Sequence, residues 1–224
     1  MAGTVKSPKS EIISVDVKIK GEEPLMFNRM PPEVLEQIRT KTKAPKTKPP
    51  EDPRDDCVRK LYLDPTDKMG KRPFLPKHML WASLVGAGTF VRLEGKKMIS
   101  TAKSTRLPLF LKIDTREMPI KPPHWEVDLR QGRNPNGGEA VALVRPIFYN
   151  WAIECRIRIY TNRIGEDVMR ELFDVAGSAF GLGEFNPLHK GTYGTFNVAC
   201  WKRVGSSKKV KARKPVKGRK PVKA

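Results

Sequence analysis

Between Ala152 and Trp201 the sequence changes its hydrophobic period twice, and no other stretch limits the possible folds so tightly. Ile153, Cys155, Ile157 and Ile159 alternate with Glu154, Arg156, Arg158 and Tyr160, which gives a strand one apolar face and one basic-aromatic face. Glu166 and Asp167 open a stretch in which Val168, Leu172, Val175, Ala176 and Ala179 form one helical stripe, widened by Met169, Phe173 and Phe180. Gly181 stops the helix. After a glycine-rich loop, Tyr193 to Trp201 alternates again, with Phe196, Val198 and Cys200 on one side and Thr195, Asn197 and Trp201 on the other. Strand, helix, strand at this spacing is half of a split βαβ unit.

The first half of the chain supplies matching parts. Ile13, Val15, Val17 and Ile19 alternate with Ser14, Asp16, Lys18 and Lys20, a half-buried strand that Gly21 ends. Met79, Leu80, Leu84 and Val85 recur at helical spacing within Lys77 to Val91, and Leu107 to Ile113 reads as a short strand. The segment Pro24-Leu-Met-Phe-Asn-Arg-Met30 is apolar with one cation: it either approaches a ligand face or plugs the underside of the sheet. Pro31 and Pro32, followed by Glu33, suit the start of a short helix. The order predicts an α+β fold, a ferredoxin-like or RRM-like antiparallel sheet with two helices. The expected organisation is a flexible leader at 1–10, one domain over 11–204 with a mobile basic insertion at 39–56, and a disordered basic tail at 205–224.

Within that domain, residues 124–149 read as an inserted long β-hairpin. Trp125, Val127 and Leu129 alternate with Glu126, Asp128 and Arg130, and Val141 and Leu143 alternate with Ala142 and Val144 on the return. Asn136-Gly137 is a turn signal, since both residues tolerate positive φ. Arg130, Arg133 and Arg145 charge its arms, so the hairpin is either a basic finger that meets a ligand or an ordinary surface hairpin.

Charge sets the class of partner. The 224 residues carry 44 Lys and Arg against 24 acids, a net charge of +20. Nine of the cations lie in residues 208–224, which leaves +11 for the remainder, so the body is basic as well as the tail. A surplus of this size favours polyanions through neutralised phosphates and released counterions. In the tail RKPVK occurs twice, placing Arg213, Lys214, Arg219 and Lys220 on a proline-spaced polycationic arm.

Other chemistries find little support. Cys57, Cys155 and Cys200 are far apart and form no CxxC or Cys/His cluster, so neither a metal site nor a cofactor is expected. Cys155 and Cys200, in apolar strand patterns, read as small core residues. Three thiols, no signal peptide and no membrane-length apolar run point to a reducing cytoplasm.

The glycine loop Gly181-Leu-Gly-Glu-Phe-Asn-Pro-Leu-His-Lys-Gly-Thr-Tyr-Gly194 holds the remaining candidates. Its four glycines permit sharp turns and a close approach of backbone N–H groups to a ligand, and they equally suit a plain helix-to-strand turn. Phosphates would meet Lys190, Arg130, Arg133, Arg145 and the tail, while bases would stack on Phe185, Tyr193 or Trp201.

The late helix, the glycine loop and the last strand resemble the RAMP superfamily, the RNA-binding proteins of CRISPR effector complexes, and most of all its backbone subunits. The residues that carry this resemblance are Gly181-Leu-Gly-Glu-Phe185 and Gly191-Thr-Tyr-Gly-Thr-Phe196, and more weakly Pro76 to Gly88. The chain also resembles small uncharacterised phage proteins that open with a strand leading into a PLMFNR-like segment and close with a GIGDFRP...GRF-like one. The resemblance implies a ferredoxin-like fold with the hairpin as a thumb, and assembly of several copies along a strand. The loop departs from the usual arginine-rich pattern at Asn186, Leu188 and Thr195.

Three function classes follow. The first is a non-catalytic binder of single-stranded RNA or DNA, in the cytoplasm of a bacterium or a phage-infected cell. The second is a RAMP-type metal-independent endoribonuclease, for which His78 and His189 are the candidate proton-transfer residues. The third is a ribosomal or virion protein whose tail threads into packed nucleic acid.

Overall fold

The computed structural model describes residues 11–42, 52–67, 72–93, 97–133 and 138–204. The expected leader, the tail, residues 43–51 of the expected insertion and the Asn136-Gly137 turn lie outside the described residues.

The main sheet has four strands in the order β4-β8-β1-β9, with β1 at Ile12–Gly21, β4 at Leu111–Ile113, β8 at Ala152–Tyr160 and β9 at Phe196–Val204. Every neighbouring pair is antiparallel. Two helices cross between these strands, α3 at Lys77–Ala87 and α4 at Glu166–Val175. That is the ferredoxin-like order, and the expected α+β antiparallel sheet is what the chain forms.

The alternating patterns decide which face is covered. Val15, Val17 and Ile19 of β1 and Cys155, Ile157 and Ile159 of β8 are buried with Leu80 and Leu84 of α3 and Met169, Leu172 and Phe173 of α4. Each large apolar side chain so enclosed contributes about 1.5–3 kcal/mol. Burial pushes the Cys155 thiol up to about 12. The start of α4 carries Glu166 and Asp167, which complement the positive end of the helix. Its last turn widens into a π-helical turn, Ala176–Phe180, that Gly181 ends with φ of 65°. There Ser83 Oγ donates to Ala176 O at 3.2 Å, tying α3 to α4.

The last strand corrects the sequence reading. The pairing of β1 with β9 shifts register between Lys18 and Ile19, so that Cys200 faces Lys18 while Val198 faces Ile19 and Ala199 is the extra residue of a bulge. The bulge inverts the alternation beyond it. Phe196 and Val198 still point at the helices, but Trp201 now does so too, and Cys200 is turned out and exposed.

The hairpin rises beside this sheet. Its arms are β6, Glu126–Arg133, and β7, Ala140–Phe148, and β2, Leu25–Met26, joins β7 to make a three-stranded sheet in the order β2-β7-β6. Burial is confined to its foot: Pro146, Ile147 and Phe148 are buried, whereas Leu129 is 61% exposed. Leu25, Met26 and Phe27 are fully buried, so the apolar segment after β1 is the plug rather than a ligand face. A further pair of short strands, β3 at Phe74–Pro76 and β5 at Glu117–Pro119, precedes and follows α3.

Two helices lie in the connection between β1 and α3, beyond the two of the core. The first, α1 at Pro32–Thr40, starts where the proline signal placed it. The second, α2 at Pro53–Lys60, corrects the end of the expected insertion at 39–56. Asp52 caps it by accepting from Arg54 N at 2.7 Å, Pro53 occupies the first turn, Asp55 and Asp56 follow, and Arg59 and Lys60 close it. It is anchored to the hairpin by Lys60 Nζ, which donates to Val144 O at 2.7 Å, and by the Arg54 guanidinium 4.5 Å above the Trp125 ring. Cys57 is fully buried there, and burial pushes its thiol up to about 11.

Candidate nucleic-acid interface

The glycine loop is knitted to itself and to the plug. Leu182 N donates to Gly194 O, Tyr193 N to Phe185 O and Gly191 N to Asn186 O, while Glu184 N and Gly194 N reach Met26 O and Pro24 O, all at 2.8–3.0 Å. These amides are therefore occupied and are not free to meet a ligand. The glycines allow the close approaches: a Cβ on Gly191 would lie 1.7 Å from Phe185 O, and one on Gly194, whose φ is 71°, would lie 1.8 Å from Leu182 O.

What the loop presents meets the hairpin. The Arg145 guanidinium lies 4.5 Å from the centroid of the Phe185 ring, and that of Arg130 lies 5.1 Å from the centroid of Tyr193. Arg130 also donates to the Tyr193 hydroxyl and, at 2.7 Å, to Asp128 Oδ1. The Tyr193 and Asp128 hydrogen bonds push the high pKa of this guanidinium higher still. Asp128 pairs with Arg145 across the strands, which puts both arginines on the hairpin face toward the loop. Arg133 is three residues beyond Arg130 and falls on the opposite face. Phe185 holds a φ of 52° and is 37% exposed, and Lys190, with φ of 63°, is exposed beside it in the loop.

Four sequence candidates, Arg130, Arg145, Phe185 and Tyr193, are thus in mutual contact as two arginine-on-ring pairs, with Lys190 and His189 in the same loop. Trp201 is elsewhere. Its indole Nε1 donates to Glu166 Oε1 at 2.7 Å, its ring packs edge-on against Phe173 with centroids 5.5 Å apart, and Arg170 lies 5.3 Å from its centroid. That engagement sets the indole against α4 rather than against the loop. Arg213, Lys214, Arg219 and Lys220 lie outside the described residues.

The two histidines have different settings. His78, at the start of α3, is exposed and lies edge-on to Tyr62 with centroids 6.1 Å apart. His189 ends a short 3-10 turn, Pro187–His189, capped by Asn186. No hydrogen bond or ring contact joins the two among the described residues. Asn186 itself, 8% exposed, stands out in the sequence only as a departure from the arginine-rich pattern and not as a site residue. Its place before Pro187 at the start of a turn was the available signal.

The open face of the main sheet contrasts with this end. Asp16 accepts from Arg156 at 2.7 and 3.0 Å, Asp114 accepts from Arg158 at 3.0 and 2.6 Å, and Glu154 lies 3.8 Å from Lys18 and 3.6 Å from Lys121. The hydrogen bond from Arg156 holds the Asp16 carboxyl below its ordinary range. Among the described residues no group of three or more His, Cys, Asp or Glu is placed to hold a metal, and no helix is long and apolar enough to cross a membrane.

Fold and site together define an α+β protein of ferredoxin-like topology with a projecting basic hairpin clasped by a glycine loop. The chain is similar to one in the cryo-EM structure of the Type III-B Cmr-beta bound to cognate target RNA, with a TM-score of 0.52 and 10% identity over 87% of this chain. The match spans 61% of that chain, less than two thirds of its length, and at this identity the likeness is one of fold. No protein-family model and no curated protein matches the sequence.

Proposed function

We propose that the protein is a non-catalytic, cytoplasmic, RAMP-like binder of single-stranded nucleic acid, RNA or ssDNA, and that several copies assemble along one strand. The observation that carries this reading is the pairing of Arg130 and Arg145 with Tyr193 and Phe185 on an exposed edge of the fold. A strand needs cations for its phosphates and ring faces for its unstacked bases, and base–aromatic stacking is worth about 1–3 kcal/mol per base. A ring face holds an arginine without cancelling its charge, so Arg145 stays available to a phosphate, while Arg130 is shared between Tyr193 and the Asp128 carboxylate. The net charge of +20 and the likeness of fold to a chain from an RNA-bound complex support the same reading.

Cleavage at His78 and His189 needs two groups converging on one ribose, and no hydrogen bond or ring contact joins the two histidines among the described residues. Binding is the better-supported function.

Fluorescence anisotropy with labelled oligonucleotides tests it. The expected result is tight binding at low salt to single strands, weaker binding to duplex, and a linear fall of log affinity with log salt. Absence of binding at low salt, or equal affinity for duplex and single strand, would remove this function.

A further inference from the structure

The turn Asn186 to His189 contains a side-chain relay that phosphate binding does not use. Asn186 Nδ2 donates to Gly183 O at 2.9 Å. Only the amide nitrogen can donate to a carbonyl, so this bond fixes which end of the buried side chain faces which way. Its Oδ1 therefore faces His189, where it accepts from the backbone N at 3.1 Å and lies 3.0 Å from the ring Nδ1. An amide oxygen accepts and never donates, so Nδ1 carries the proton. The neutral ring is then held in the tautomer whose Nε2 is a bare acceptor.

The residue that carries this acceptor is exposed, precedes the exposed Lys190, and stands in the sequence between Phe185 and Tyr193, the two rings that hold the hairpin arginines. Phosphate oxygens have nothing to donate to it. The hydroxyl that distinguishes ribose from deoxyribose does, and recognition of that hydroxyl is how a protein tells RNA from DNA.

We infer that His189, oriented by Asn186, accepts a hydrogen bond through Nε2 from a ribose 2′-hydroxyl and so biases this surface toward RNA over ssDNA. This rests on the loop–hairpin end being the binding surface. Here His189 is a specificity-determining residue with no proton transfer assigned to it, and Asn186 is its positioning residue.

The test compares oligouridine with oligodeoxyuridine of equal length, ligands that differ only at the 2′ position. For the wild-type chain the ribose form is expected to bind about five- to tenfold tighter, the worth of one good hydrogen bond. His189→Ala is expected to bring the ratio near one by weakening the ribose form alone. His189→Gln, whose amide reaches the place of Nε2, is expected to keep part of the ratio. A 2′-O-methyl oligouridine, which retains the oxygen but has lost the donor, is expected to bind like the deoxy form. A ratio near one in the wild type, a ratio that His189→Ala leaves unchanged, or 2′-O-methyl binding equal to ribose would each overturn the assignment while leaving strand binding intact. Failure of the wild type to bind either polymer would instead remove the binding function beneath it.

Discussion

The open face of the main sheet and the hairpin–loop end are both rich in arginine, yet they set different groups around it. On the sheet, Arg156 and Arg158 each face a carboxylate, and the positive charge is spent within the protein. At the hairpin, Arg130 pairs with Asp128 as the sheet arginines pair with their carboxylates, but it also lies against Tyr193, and Arg145 lies on Phe185. Exposed ion pairs such as those on the sheet contribute only about 0.2–1 kcal/mol to stability. Their larger consequence is electrostatic: they leave the sheet a poorer host for phosphate than its count of cations suggests. The position of charge relative to carboxylates and rings, more than its amount, marks a nucleic-acid surface.

The most severe way to disturb one region and spare the other is Gly194→Ala. A Cβ there meets Leu182 O at 1.8 Å with φ at 71°, so the loop has to refold, and a loss of about 3 kcal/mol in stability is expected together with loss of strand binding. Thermal denaturation and anisotropy on the same sample check both. An unaltered melting midpoint would show that the loop is not knitted as described.

Thiol labelling sharpens the contrast from the other side. Cys200 is exposed on the sheet face, whereas Cys57 and Cys155 are buried with thiols raised to about 11 and about 12. One fast-reacting thiol is expected in the native protein and three after denaturation, with a saturating oligonucleotide leaving the fast one unprotected. Protection of Cys200 by the oligonucleotide would place the strand on the sheet.

A smaller effect is expected with pH. Burial raises the Glu166 carboxyl, but hydrogen bonds from Arg203 and Trp201 outweigh it and hold the group below its ordinary range. A carboxyl lowered in the folded state stabilises the fold above its unfolded pKa, and that contribution fades as pH falls through the folded value. Acid unfolding below about pH 4.3 is therefore expected to flatten in Glu166→Gln, with no change in strand binding because Glu166 sits at the end of α4 away from Gly181 and pairs with Trp201, Arg170 and Arg203 rather than with the loop. Smallest of all, Lys190→Ala is expected to weaken binding about two- to threefold and lower the salt slope by about one, since the charge is shared with Arg130 and Arg145.

The strands and helices of the core were legible because their side chains obey one period throughout. Val15, Val17 and Ile19, or Ile153 to Ile159, announce a covered face without help from the rest of the chain. The same logic failed at Ala199, where one inserted residue turned Cys200 outward and sent Trp201 to α4, and no local composition signals such a bulge. The helix at Pro53–Lys60 was readable in principle, since Asp52-Pro53 with Asp55 and Asp56 is a complete helix start. Its scarcity of apolar residues concealed it: apart from Cys57 it leans on the hairpin through Arg54 and Lys60. At the candidate site the residue types were visible, but not that Arg130 and Arg145 would settle on Tyr193 and Phe185, a contact across about fifty residues that only the folded topology creates. Asn186 was visible only as a missing arginine, because its importance lies in what it orients.

The central claim is that strands bind at the hairpin–loop end rather than across the sheet, and two double variants of equal charge test it. Arg130→Ala with Arg145→Ala, and Arg156→Ala with Arg158→Ala, each remove two positive charges, and each is compared with the wild type by anisotropy against one single-stranded oligonucleotide at one salt concentration. The first is expected to lose affinity by more than about tenfold and the second by less than about twofold. Equal losses, or a larger loss for the sheet pair, would contradict the claim.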